Sequence, residues 1–169
     1  TSLRANNAEI TDLSGLEYAT NLERLDLDRN RITDITPLSK LTTLQHLSLY
    51  SNEIRDLAPL ARLHSLRWLG LGWNEISDVT PLANLEALTV LHLRENKVTA
   101  LSPIANLTTL QEISLSDLRP SDIAALSPLK ELRKIAIYSS KVGDLRPLLV
   151  LPKLTELSLT WCGITQVSI

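Results

Sequence analysis

The sequence has no phenylalanine, no methionine and a single cysteine, Cys162. Without Phe or Met a core must be filled by Leu, Ile and Val, and one shape of side chain suggests one cross-section used repeatedly. A lone cysteine rules out an internal disulfide and leaves the redox compartment unreadable. No apolar run approaches the roughly 18 residues of a membrane span, and there is no glycine-rich phosphate loop. Charge of one sign is also scarce. A net charge of −2 gives no electrostatic reason to expect nucleic acid or an anionic membrane as partner. The first residues, Thr1 and Ser2, are compatible with a removed signal peptide.

What is abundant is leucine at a fixed period. With Leu22 as position 1, apolar residues fall at positions 1, 4, 6, 11, 14, 17 and 20 and return after 22 residues. Leu22, Leu25, Leu27, Ile32, Ile35, Leu38 and Leu41 set the pattern, and complete units start at 22, 44, 66, 88, 110 and 132. Residues 1–21 and 154–169 are partial units, so the whole chain, 1–169, reads as one repeat domain. Leu3 at one end and Val167 and Ile169 at the other would leave apolar surface uncovered. The expectation is excision from a longer protein, with pairing of the ends in a dimer as the alternative.

The motif Leu-x-x-Leu-x-Leu-x-x-Asn-x-Ile resembles the leucine-rich repeat family. The tail of each unit, as in Ile54-Arg55-Asp56-Leu57-Ala58-Pro59-Leu60, is similar to the 22-residue bacterial internalin-like subclass. The resemblance implies a horseshoe-shaped α/β repeat solenoid. It also implies a recognition role at a bacterial cell surface or in secreted form; an intracellular regulatory scaffold in the cytoplasm is the alternative.

The residues themselves point to the same architecture. Positions 4 and 6 alternate with polar neighbours, the period of a half-buried strand. One such strand per unit, always in the same sense, gives a parallel sheet, with positions 11 to 20 as the return. About ten residues per return favour 3₁₀-like or irregular structure over full α-helix. Bulkier returns than strands would make the sheet face concave. Asn30, Asn52, Asn74 and Asn96 recur at position 9, where their amides would form a buried ladder paired with backbone. Asp34, Asp56, Asp78, Asp122 and Asp144 recur at position 13 as turn caps, with proline three residues later in most units. Leu118, Ser140 and Cys162 take the asparagine position in the last units, which predicts an interrupted ladder there.

Positions 3, 5, 7, 8 and 10 face the concave side. Five of the six Trp and Tyr residues fall on them: Tyr50, Trp68, Trp73, Tyr138 and Trp161. Exposed rigid aromatics are the material of interface hot spots, although aromatics also suit a sheet surface for strand propensity alone. Gly70 and Gly72 stand beside Trp68 and Trp73, with His46, His92 and Arg94 on neighbouring strands. Strand glycines often mark a close approach. The expectation is a shallow dip that receives a partner's side chain or sugar ring; the alternative is that the glycines make room for the two indoles, Trp68 and Trp73, to lie flat on the protein itself. Tyr138 and Trp161 belong to a second candidate area, separated from the first by a polar strand carrying Glu112, Ser114 and Ser116. At the N-terminal end Arg24, Asp26, Asp28 and Arg29 form a charged rim.

Nothing in the pattern assembles a nucleophile, a base and an orienting group. His46 and His92 lie two strands apart, roughly 10 Å, and His64 falls on the return side, so no metal site is expected. Asn106-Leu107-Thr108 fits a glycan acceptor, a match common by chance. The function expected from the sequence is therefore a non-catalytic recognition module without cofactor or metal. Its partner would be a protein ligand on the concave face, or alternatively a carbohydrate, with neither nucleic-acid binding nor membrane insertion.

Overall fold

A computed structural model describes residues 1–142 and 144–163. Eight short strands lie side by side in chain order: β1 (Ser2–Arg4), β2 (Arg24–Asp26), β3 (His46–Ser48), β4 (Trp68–Gly70), β5 (Val90–His92), β6 (Glu112–Ser116), β7 (Lys134–Tyr138) and β8 (Glu156–Thr160). All seven pairings are parallel, and every register step is one 22-residue unit: Leu3 pairs with Leu25, Leu25 with Leu47, Leu47 with Leu69. The ladder of backbone bonds continues past the strand ends. Leu49 and Ser51 donate to the carbonyls of Gly70 and Gly72, and Leu71 and Trp73 to those of His92 and Arg94.

A single period therefore decides which side chains are inside. Leu47, Leu69 and Leu91 stack in one column and Leu49, Leu71 and Leu93 in the next, each with 1% exposure or less. Burial of one such side chain contributes about 1.5–3 kcal/mol, but only if neighbouring coils cover it. The open edge shows what happens otherwise: Leu157 on β8 is 40% exposed, and Leu3 on β1 is 38% exposed. Val167 and Ile169 lie outside the described residues.

The returns are mostly 3₁₀ turns, among them Thr36–Lys40, Ala58–Leu60, Thr80–Leu82 and Ser102–Asn106, each with a proline in its first turn. One return differs from the expectation: Arg146–Leu149 closes as a four-residue α-helix, α1. The aspartates cap these returns from two residues before the turn begins. Asp34, Asp56 and Asp78 accept the N–H of Thr36, Ala58 and Thr80 at 2.8 Å, and Asp144 accepts that of Arg146 at 2.9 Å.

Asp122 is a correction to that pattern. Its return is a seven-residue 3₁₀ turn, Pro120–Leu126, which starts before the aspartate rather than after it. Asp122 therefore sits inside the turn and reaches back, accepting the Arg119 N–H at 2.9 Å and pairing with the Arg119 guanidinium. The proline at position 11 pulled the turn forward and changed what the carboxylate can reach.

The asparagine ladder joins each coil to the one before it. The Asn74 carbonyl oxygen accepts the N–H of Ile54, and its amide donates to the carbonyls of Leu49 and Leu71. Asn52 and Asn96 repeat this one coil earlier and later, while Asn30 bonds Ala8 and Ile10. The expected interruption is narrower than the sequence suggested. Leu118 breaks the series, but the Ser140 hydroxyl accepts the Leu118 N–H at 2.9 Å and donates to the Tyr138 carbonyl. The buried Cys162 thiol reaches the Ile137 carbonyl at 3.4 Å.

Candidate partner-binding face

The 22-residue register turns the outer face of the sheet into columns. Position 3 carries Arg24, His46, Trp68, Val90 and Glu112; position 5 carries Asp26, Ser48, Gly70, His92, Ser114 and Ala136; position 7 carries Asp28, Tyr50, Gly72, Arg94, Ser116 and Tyr138. The two glycines sit in the middle of this grid, and the dip expected above them is not open. A Cβ on Gly70 would stand 2.5 Å from the Tyr50 ring and 2.6 Å from the Trp68 ring, and one on Gly72 would stand 2.7 Å from Tyr50. The chain's own rings fill the trough, but they are Trp68 and Tyr50 rather than the two indoles of the alternative reading.

Filling the trough lets Tyr50 cross a whole coil. Its hydroxyl is hydrogen-bonded to His92 Nδ1, and His92 Nε2–H donates to Glu112 Oε1 at 3.0 Å. Burial, and secondarily the Asp28 carboxylate, push the Tyr50 phenol above its ordinary pKa, which keeps the hydroxyl protonated and able to donate. The His46 ring lies flat on Trp68 at 4.1 Å, and His92 meets the same indole edge-on at 5.4 Å. Tilted contacts of 6.1 Å tie Tyr50 to both Trp68 and Trp73. Offset and edge contacts of this kind contribute about 0.5–1.5 kcal/mol each beyond area burial, so the cluster is held rigidly before any partner arrives.

The open hollow runs along the face on both sides of the glycine-bearing coil. It has a volume of about 570 Å³ and is lined by Tyr50, Trp73, Arg94 and Tyr138, with His92, Glu112, Ser114 and Ala136 on the C-terminal side and Asn6, Asn7, Asp28, Arg29 and Ser51 on the N-terminal side. Ser114 and Ala136 follow Gly70 and His92 in the position-5 column, and their small side chains leave the space. Arg94 crosses the short Ser116 so that its guanidinium carbon lies 3.8 Å from the Trp73 ring centre and 4.6 Å from that of Tyr138. The strand read from sequence as a polar divider between two areas therefore lies within the hollow. Tyr138 joins the central group through Arg94. Trp161 does not; it is 80% exposed beside a separate depression shared with Ser139, Lys141 and Cys162.

The charged N-terminal rim is also revised. Asp26 is 6% exposed and sits among Arg4 and Arg24, at 3.0 and 3.1 Å, with His46 Nε2 at 3.2 Å from its other oxygen. Burial, then the Arg24 charge, depress the His46 pKa, against an opposing pull from Asp26. Asp28 accepts the Ser48 hydroxyl at 2.6 Å and the Tyr50 N–H at 2.9 Å. These carboxylates orient the aromatic cluster. Among the described residues no three His, Cys, Asp or Glu side chains converge as a metal site, and His64 lies on the return side against the Asn84 carbonyl.

One property of the face was invisible in the sequence. Position 8 is left-handed in every coil described, with φ of 55° at Trp73 and Trp161 and 56° at Arg29. None of these positions is a glycine, so composition gave no signal. The small floor residues Ser114 and Ala136 could have been found by following position 5 as a column rather than reading one unit at a time.

The leucine rich repeat pattern matches residues 20–76, and a second leucine rich repeat pattern matches 150–167. No curated protein sequence matches the chain. Among solved structures, an internalin C2 from Listeria monocytogenes is 38% identical with a TM-score of 0.93, over 99% of this chain and 74% of that one. An internalin, inlF, from the same organism is 34% identical with a TM-score of 0.93, and this chain spans 49% of its length. A plant peptide hormone receptor in complex with RGF2 is 26% identical with a TM-score of 0.74, over 95% of this chain and 28% of that one. The aliphatic columns, the asparagine ladder and the 3₁₀ returns are those of a leucine-rich repeat, and the chain belongs to that family, with internalin-like architecture.

Proposed function

We propose that this chain is a non-catalytic recognition module that binds a protein partner in the hollow of its concave face. The observation that carries this is Trp73. It occupies a left-handed backbone position, where a side chain other than glycine costs roughly 1–2 kcal/mol, and it remains 42% exposed. Contacts with Arg94 and Tyr50 orient the indole but leave much of it uncovered. A partner can cover the rest, and a buried indole at an interface centre is worth about 2 kcal/mol or more.

The geometry favours protein over carbohydrate. A sugar ring stacks on an open aromatic face, but one face of Trp68 carries His46 and one face of Trp73 carries Arg94. Likeness to the two Listeria internalins supports a bacterial protein acting at the cell surface or in secreted form, and likeness to a plant peptide hormone receptor in complex with RGF2 supports a peptide or protein ligand. No described helix is long and apolar enough to cross a membrane. The test is affinity capture from cell-surface extracts with wild type and a Trp73→Ala/Tyr138→Ala variant. Partners retained by wild type alone support the proposal. Equal retention by a folded double variant ends it.

A further inference from the structure

We infer that the hollow recognises a carboxylate, the side chain of an aspartate or glutamate on the partner, through Arg94. The inference rests on the concave-face reading above and specifies its chemistry. The half-buried carboxylates around the hollow are already engaged within the chain: Asp28 has the Ser48 hydroxyl and the Tyr50 N–H, and Glu112 has His92. The buried Asp26, further along the face, has Arg4 and Arg24 on one oxygen and His46 near the other, although that second oxygen makes no hydrogen bond. Arg94 is different. Among the described residues it makes no ion pair, and its buried Nε has no hydrogen-bond acceptor.

A guanidinium left this way is costly for the free protein, because buried polar groups are normally paired. It is also prepared for a ligand. Trp73 and Tyr138 hold the planar group by cation–π contact, so its terminal N–H donors line the hollow in a fixed orientation. Little rotamer entropy remains to be lost on binding. A carboxylate supplies what is missing: opposite charge, and two acceptor oxygens that match the guanidinium fork. The aromatic walls fit the methylene stem of the acidic side chain. Glu112 makes no ion pair with the guanidinium; one of its oxygens is held by His92 instead.

Two blocked peptides that differ in one group test this, acetyl-Ala-Glu-Ala-amide and acetyl-Ala-Gln-Ala-amide, titrated at constant ionic strength and followed by the Arg94 Nε–H and Trp73 indole N–H signals in NMR. The glutamate peptide should give saturable shifts at both signals and bind about tenfold more tightly than the glutamine peptide, as a charge-assisted pair implies. Arg94→Gln should abolish the difference, and Arg94→Lys should restore part of it. Equal binding of the two peptides at Trp73 overturns the carboxylate and leaves concave-face recognition standing. Shifts confined to the return side overturn both. No saturable shift from the glutamate peptide at tens of millimolar also overturns the carboxylate assignment.

Discussion

The imidazole of His46 lies on the indole of Trp68 with ring centres 4.1 Å apart and planes 11° from parallel. This stack is the N-terminal wall of the aromatic cluster, and its charge state depends on pH. Burial, then Arg24, hold the His46 pKa below the ordinary 6.5. The fold therefore prefers the neutral ring, and the unfolded chain takes up the proton first.

The sign of the pH effect follows. The contribution of His46 to stability is fully present above pH 6.5 and is lost as the pH falls through 6.5 towards the depressed folded value. Urea unfolding of wild type and His46→Gln across this window is the measurement. Wild type should lose stability on acidification relative to the variant. Parallel pH profiles for the two proteins would contradict the assignment.

Gly70 sets the position of both rings. Adding a methyl group there forces Tyr50 and Trp68 apart, because the nearest ring atoms are 2.5 and 2.6 Å away. Gly70→Ala should cost about 1–3 kcal/mol, the usual range for overpacking, and should disturb the indole fluorescence of Trp68. A strand alanine is otherwise the better residue, so unchanged or raised stability would mean that the rings are not held.

Asn74 satisfies one buried N–H and two carbonyls. Asn74→Ala leaves all three without that partner and should cost about 2–4 kcal/mol. Asn30→Ala should cost less, since the Ala8 and Ile10 groups it serves are only partly buried. Denaturant midpoints of the two variants give the order directly.

Trp161 separates stability from recognition. It is 80% exposed at a φ of 55°, a conformation asparagine tolerates better. Trp161→Asn should leave stability unchanged or raise it by up to about 1 kcal/mol. If the second depression takes part in binding, partner retention falls while the melting temperature does not, and both can be read from the same preparation.

The aliphatic columns, the parallel order and the Asn amides were readable because a 22-residue period repeats each signal many times. The caps were readable at Asp34, Asp56 and Asp78 for the same reason. Asp122 was not, because Pro120 moved the start of its turn while leaving the unit length unchanged. The candidate site was readable by column but not by shape. Leu-rich spacing indicates which side chains face outward. It does not say that Tyr50 leans across the glycines to His92, or that Arg94 crosses Ser116 to meet Tyr138. Those directions depend on the size of the residue next door, one coil further on.

The amide of Asn74 bonds a carbonyl 25 residues earlier in the chain and an N–H 20 residues earlier. Asn52 and Asn96 look backwards in the same way. Every such lock closes onto backbone that the ribosome has already released. A growing chain can therefore add each new turn onto the one before it, while the buried N–H groups of that earlier turn wait for the asparagine of the next.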